Sequence, residues 1–419
     1  MYKKFVLSNG MRVICEKMNS VRSVAVGVWV GAGSRYEDKE NNGVSHFIEH
    51  MLFKGTRTRT AKQIAEEIDS IGGQINAFTS KDCTCFYTKT LDNHLDISLD
   101  ILSDILLNAK LTKPDINIER NVILEEIRMC EDSYEDLAHD LLTETVWKGS
   151  PLGYSVLGTP ESLGRVDKSV MRHYLSQKYI VENMVISVCG SFDEQDLVKK
   201  LERRFYKFKK NEEIGVPLPD NTKYLPGKIL KRKEAEQMNL CLGFKGIELG
   251  SDEKYALQLI NSIFGGGFSS ILFQKIREEL GLVYSIYSYS VAYRNAGLFS
   301  IYAGMRPEQS ERVLTMILDE FKAFAQNGIT NDQLQKAKEQ FKGNYYMGLE
   351  STSSRMMSLG KLELLLGRVL TPGEVVEMVD NVTMDEIDSV LRRIFDLDTI
   401  SVSAVGKMTD GFEKLIQSF

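Results

Sequence analysis

The 419-residue chain runs through one order of segments twice. In the first half, the alternation in RSVAVGVWVGAGSR marks a strand, GVSHFIEHMLFKGT and AKQIAEEIDSIGG have helical spacing, and INAFTSKDCTCFYTKTL reads as a strand pair. Two more helices follow, LDISLDILSDILLNA and the stretch from Pro114-Asp115 through Cys130, and later the compact strand MVISVCGSF. The second half retraces this path. AEQMNLCLGFKG lies on the early strand, DEKYALQLINSIFGG on the histidine-bearing helix, ITNDQLQKAKEQFKGNY on LTKPDINIERNVILEEI, and ISVSAVGKMTD on MVISVCGSFD. Offsets of about 208 to 218 residues persist along the whole order, which is the mark of a duplicated domain.

The expected fold is therefore α+β, with two homologous domains, each a largely antiparallel sheet packed with helices. NEEIGVPLPDNTKYLPGK holds Pro217, Pro219 and Pro226 and suits an extended connection. We place the first domain at 1–212, a linker at 213–226 and the second domain at 227–419.

Net charge of −6, from 52 basic and 58 acidic residues, disfavours nucleic acid as a partner. No apolar run is long enough for a membrane span. MYKKFVLSNGMRVICEKM alternates across Asn9-Gly10 as a β-hairpin does, unlike a signal peptide, so a cytoplasmic location is expected. Six cysteines are scattered; Cys83 and Cys85, one residue apart, read as buried thiols on one face of a strand. Gly265, Gly266 and Gly267 lack the Lys and Ser/Thr of a phosphate loop and read as a turn after a helix.

Two of the five histidines fall within GVSHFIEHMLFKGT. Residues four apart on a helix are separated by about 40° around the axis and about 6 Å along it, so His46 and His50 can turn two imidazoles toward one metal ion. Glu49 lies beside them, where it can take a proton from a water, the role of the glutamate in the mirror-image H-E-x-x-H helix. The second copy has Ala256, Leu259 and Ile260 at these places, so the fold itself does not need the three polar residues. A third ligand is available from Glu119, Glu125, Glu126 or Glu131. Glu119 and Glu126 are seven apart and share a face, and their counterparts are Ala337 and Asn344. Spacing alone leaves both open.

At these residues the chain resembles the pitrilysin/insulinase metallopeptidases, and within them the short branch that includes the mitochondrial processing peptidase. The family signature is His-x-x-Glu-His with a glutamate 76 residues beyond the second histidine, the place of Glu126 here. The resemblance covers essentially the whole chain. It implies one zinc ion (Zn2+) per chain held by His46, His50 and Glu126, Glu49 as general base, and Glu119 as an accessory glutamate near the metal. Members also carry an Arg and a Tyr seven apart that hold the substrate main chain; in FGGGFSSILFQKIREELGLVYSIYS these are Arg277 and Tyr284. GGQINAFTS resembles the family's substrate-docking edge strand, so Asn76, Ala77 and Phe78 are expected to bind peptide through the backbone.

The implied activity is that of a zinc endopeptidase acting on extended or unfolded peptides. Relatives with four such domains enclose the peptide in a chamber, so a homodimer is expected of this two-domain chain. The alternatives are a heterodimer with a ligand-poor homologue and a non-catalytic peptide-binding or scaffold subunit.

Overall fold

The computed structural model describes residues 2–211 and 222–418. Most of the linker expected at 213–226 thus lies outside the described residues. In the first half, β1 (Lys3–Val6) and β2 (Arg12–Lys17) form the N-terminal hairpin, followed by β3 (Ser23–Val30), β4 (Gln74–Thr79), β5 (Thr84–Leu91) and β6 (Met184–Gly190). These make one sheet in the order β1-β2-β6-β3-β5-β4, antiparallel except where β2 meets β6. In the second half, β7 (Lys228–Arg232), β8 (Met238–Lys245), β9 (Val283–Tyr293), β10 (Ala296–Met305) and β11 (Ser401–Gly406) form a sheet ordered β7-β11-β8-β10-β9, in which β7 and β11 are the parallel pair.

The second sheet repeats the first without its hairpin edge. Gly190 ends β6 at φ +133° and Gly406 ends β11 at φ +130°. A Cβ on either would come within 2.7 Å of the neighbouring strand's backbone, at Val24 Cα or Gln237 O. Both chains of contact therefore require glycine, which fixes the equivalence of the two sheets residue by residue.

The first-half helices are α1 (Val44–Leu52), α2 (Ala61–Asp69), α3 (Leu95–Asn108), α4 (Lys113–Asp132), α5 (Tyr134–Val146), α6 (Pro160–Arg165), α7 (Lys168–Lys178) and α8 (Glu194–Phe205). The second half contributes α9 (Lys254–Phe264), α10 (Ser310–Asn327), α11 (Asn331–Leu349), α12 (Thr352–Leu366), α13 (Pro372–Asp380), α14 (Met384–Ile394) and α15 (Asp410–Gln417). No described helix is long and apolar enough to cross a membrane.

The halves exchange a helix. α5 packs on β8 and β11 of the second sheet, and α12 packs on β3 and β6 of the first. The compact units are accordingly discontinuous: one comprises Met1–Ile127, Tyr154–Pro219 and Tyr345–Thr371, the other Arg128–Gly153, Asp220–Asn344 and Pro372–Phe419. The duplicated halves and the compact units do not coincide.

In the first unit, Val24, Val26, Val28 and Val30 of β3 join Phe47, Ile48, Met51, Leu99, Leu102 and Leu197 in one buried core. The opposite face of β3 lies under α12, which explains why the strand is buried on both sides. Ion pairs tie α12 down, from Arg355 to Glu16 at 2.5 Å and from the buried Glu363 to Lys4 at 2.5 Å. In the second unit α5 covers Cys241, Tyr302 and Val405 with Leu142 and Val146, joined by Trp147 just past its end. The other face is closed by aromatic rings: Phe321 stacks on Phe244 at 4.3 Å and on Phe395 at 4.4 Å.

The two exchanged helices meet their sheets at an equivalent point with opposite sizes. Trp29 on β3 pairs with Val185, and Gly243 on β8 pairs with Ser401 at the same place in the repeated register. Over Trp29 the helix has Gly360, where any Cβ would overlap the indole. Over Gly243 it has Leu142, whose Cδ1 lies 2.9 Å from where a Cβ would be. Large strand residue with small helix residue in one unit becomes the reverse in the other, so each helix fits its own sheet.

Candidate metal centre

α1 forms because Val44, Phe47, Ile48, Met51 and Leu52 recur at helical spacing and all turn into the core. The same pitch leaves His46, Glu49 and His50 on its flank. Its N-cap, Gly43, has no side chain to satisfy the first backbone N–H groups. Glu37 does this from outside the helix. Its carboxylate accepts from Gly43 N at 2.7 Å, Ser45 N at 2.8 Å and Asn42 Nδ2 at 2.9 Å. Burial pushes the Glu37 carboxyl above the ordinary range while these hydrogen bonds pull it back.

α4 lays Ile116, Glu119 and Ile123 inward and brings Glu126 beside the histidines. His46 Nε2 is 3.7 Å from Glu126 Oε2, and His50 Nε2 is 3.6 Å from Glu126 Oε1. The imidazole centroids are 4.6 Å apart with planes at 70°. One donor atom from each of His46, His50 and Glu126 lies within 4.8 Å of the others, the one such group of three among the described residues.

The proton positions bear on what this group can hold. His50 Nδ1 is 3.1 Å from Glu119 Oε2, so the acceptor carboxylate assigns the ring proton to Nδ1 and leaves a lone pair on Nε2. Glu119 is itself buried and meets Lys54 Nζ with Oε1 at 2.6 Å. Both of its oxygens are thus engaged away from Glu126. Burial, with His50 alongside, pushes His46 down to about 4, which keeps its imidazole neutral at neutral pH. His46 Nδ1 is buried without a hydrogen-bond partner. The separations of 3.6 and 3.7 Å are too long for hydrogen bonds. The neutral imidazole of His46, Nε2 of His50 and the Glu126 carboxylate, facing one spot, are a donor set that suits zinc.

Glu49 sits on the same flank. Thr79, the last residue of β4, donates its hydroxyl to Glu49 Oε2 at 2.5 Å. Burial pushes the Glu49 carboxyl up, with the Thr79 hydrogen bond and the neighbouring His50 acting against it. β4 is the outermost strand of its sheet. Along it Ile75 and Ala77 pack against the core, while Phe78 lies edge-on to Trp29 at 5.7 Å, and Asn76 Oδ1 accepts from Ala77 N at 2.8 Å.

Arg277 and Tyr284 belong to the other compact unit. Arg277 lies in a π-helical turn, Phe273–Glu278, with its guanidinium 4.8 Å from the Phe273 ring centroid. Tyr284 is the second residue of β9 and is 75% exposed. In that unit the counterparts of His46, Glu49, His50 and Glu119 fill the core instead: Ala256, Leu259 and Ile260 on α9 and Ala337 on α11 are all buried.

Glu37, Lys54 and Thr79 were not singled out by sequence reasoning. Lys54 stands four residues after His50, and a glycine N-cap calls for an outside acceptor, so two of the three left a trace. Thr79 left none.

Residues 12–160 match Insulinase (Peptidase family M16), and residues 165–341 match the Peptidase M16 inactive domain. The uncharacterized zinc protease YmxG of Bacillus subtilis is 41% identical over 399 residues, covering 95% of this chain and 97% of that protein. An uncharacterized zinc protease of Streptomyces coelicolor is 35% identical over 97% of this chain and 90% of its own length. The crystal structure of a protease from Helicobacter pylori has the same fold, with a TM-score of 0.92 at 21% identity over 97% of this chain and 99% of that one. The chain belongs to peptidase family M16, the insulinase family.

Proposed function

We propose that this protein is a zinc-dependent endopeptidase that hydrolyses extended or unfolded peptides, with one zinc ion per chain held by His46, His50 and Glu126. The observation that carries this reading is the convergence of those three donors, with Glu119 fixing the His50 tautomer. Zinc bound there supplies Lewis acidity, which makes water nucleophilic near neutral pH and polarises a carbonyl.

Glu49 is the general base. It takes the proton of the attacking water on Oε1, since Thr79 occupies Oε2, and returns that proton to the leaving nitrogen. A carboxyl raised by burial is a stronger base than an exposed one, which supports the assignment.

The peptide adds as a further strand to β4, using the main chain at Asn76, Ala77 and Phe78. The edge position of β4 supports this, and backbone pairing gives affinity with little dependence on sequence. Arg277 and Tyr284 hold the substrate main chain; the exposure of the Tyr284 ring supports a role outside the core. Because one chain carries both the donor set and this pair, we read the assembly as a homodimer, for which the mass of the purified protein in solution is the test. A scaffold would have no use for a base set beside a tautomer-fixed histidine.

Cleavage of an unstructured quenched peptide tests the activity. Excess chelator abolishes it and one equivalent of zinc restores it; cleavage indifferent to chelation contradicts the reading.

A further inference from the structure

We infer that Thr79 is a positioning residue through which occupancy of the β4 edge sets the Glu49 carboxylate for proton transfer. The inference rests on the endopeptidase reading and deepens it.

Thr79 has two attachments. Its main chain is the end of the outermost strand, paired with Thr84 on β5, and it follows the segment Asn76 to Phe78 to which a peptide adds. Its hydroxyl is 2.5 Å from Glu49 Oε2. A single hydroxyl proton serves that bond, and a β-branched side chain has few χ1 choices, so the carboxylate follows the pleat of the strand. Thr84 Oγ1, 3.3 Å from Thr79 Oγ1, gives its own proton to Ala32 O at 2.9 Å, so no hydrogen bond joins the two hydroxyls and main-chain pairing with β5 holds the inner side. Among the described residues, the outer side of β4 has no neighbouring strand in its sheet. A peptide paired there stiffens the strand on the side where it is otherwise free, and Thr79 transmits this to the one carboxylate whose orientation governs the proton.

The test compares wild type, Thr79→Val and Thr79→Ser. Valine keeps the branching and strand preference of threonine and replaces the hydroxyl with a methyl that can neither donate nor accept. In Thr79→Val, zinc affinity by chelator competition and affinity of the metal-free protein for an uncleavable long peptide stay within about twofold, while kcat on a long cleavable peptide falls about 10- to 100-fold. KM changes little, Thr79→Ser recovers most of the loss, and a short peptide unable to pair with β4 loses less. Unchanged kcat in Thr79→Val overturns the inference, as does an equal loss on both peptides or a matching fall in zinc affinity.

One arm needs no turnover. In metal-free protein, the uncleavable long peptide shifts the 13C resonance of the Glu49 carboxyl in wild type and leaves it in place in Thr79→Val. A wild type that shows this shift and cuts nothing defeats the endopeptidase reading but keeps the coupling. No shift in wild type defeats the coupling whatever the turnover.

Discussion

Glu119 is bound on both sides: Oε2 lies 3.1 Å from His50 Nδ1 and Oε1 lies 2.6 Å from Lys54 Nζ. On the proposed reading, a carboxylate so placed orients the ligand His50 rather than serving as a ligand itself. Glu119→Gln weakens the ion pair and the hold on the His50 proton, and zinc affinity falls about 10- to 100-fold. Lys54→Met shifts it in the same direction by less. Competition against a chromophoric chelator measures both, and a Glu119→Gln protein with wild-type affinity removes the orienting role.

Glu37 carries the start of α1, the helix of His46 and His50. Glu37→Ala strands three donors, two of them buried main-chain N–H groups, at a cost of about 3 kcal/mol, and lets α1 tilt. Zinc affinity falls with stability. Thr60→Ala, which removes the capping box of α2, costs about 1 kcal/mol and leaves zinc binding unchanged. Denaturant unfolding and metal competition on the two variants separate a general loss of helix from a specific one at α1.

The inverted contact under the exchanged helices gives an asymmetric pair. Gly360→Ala gains about 1 kcal/mol of helix propensity but drives a methyl into the rigid Trp29 ring, for a net loss of about 2 kcal/mol or more. Gly243→Ala meets the movable end of Leu142 and costs about 1 kcal/mol or less. Equal losses in chemical unfolding would show that the contact does not distinguish the sheets.

Much of this was legible in the sequence, for reasons that also explain the rest. His46 and His50 declared themselves by helical spacing, and the second copy, with buried Ala256, Leu259 and Ile260 in their place, showed that the fold does not demand them. The hairpin, the first-half strand pair and the antiparallel sheets follow from alternation and turn residues. The helix exchange does not, because the apolar faces of α5 and α12 say that each covers a sheet and not which sheet. Thr79 was invisible for a related reason. Its bond to Glu49 spans 30 residues, and the signal is a single hydroxyl among many.

Acid sensitivity is expected from His139. Its Nε2 is 3.1 Å from Tyr287 Oη and its Nδ1 is 2.7 Å from Tyr289 Oη, with Cys241 Sγ at 3.4 Å. Burial lowers its pKa below 6.5, against the pull of Glu135, Asp136 and Asp140. The unfolded chain then binds the proton more readily, so this stabilising contribution is whole above 6.5 and is lost as pH falls through the folded value. Wild type therefore loses unfolding free energy between pH 7 and pH 5 faster than His139→Gln. Parallel pH profiles for the two proteins would rule out the imidazole as the source.

On the proposed reading, His46, His50 and Glu126 hold the metal while Glu49 moves the proton. Zinc content and turnover of Glu49→Gln, measured on the same sample beside wild type, test it most directly. About one zinc per chain is expected in both proteins, with turnover lowered at least about 100-fold in the variant. Wild-type turnover in Glu49→Gln, or loss of its zinc, contradicts it.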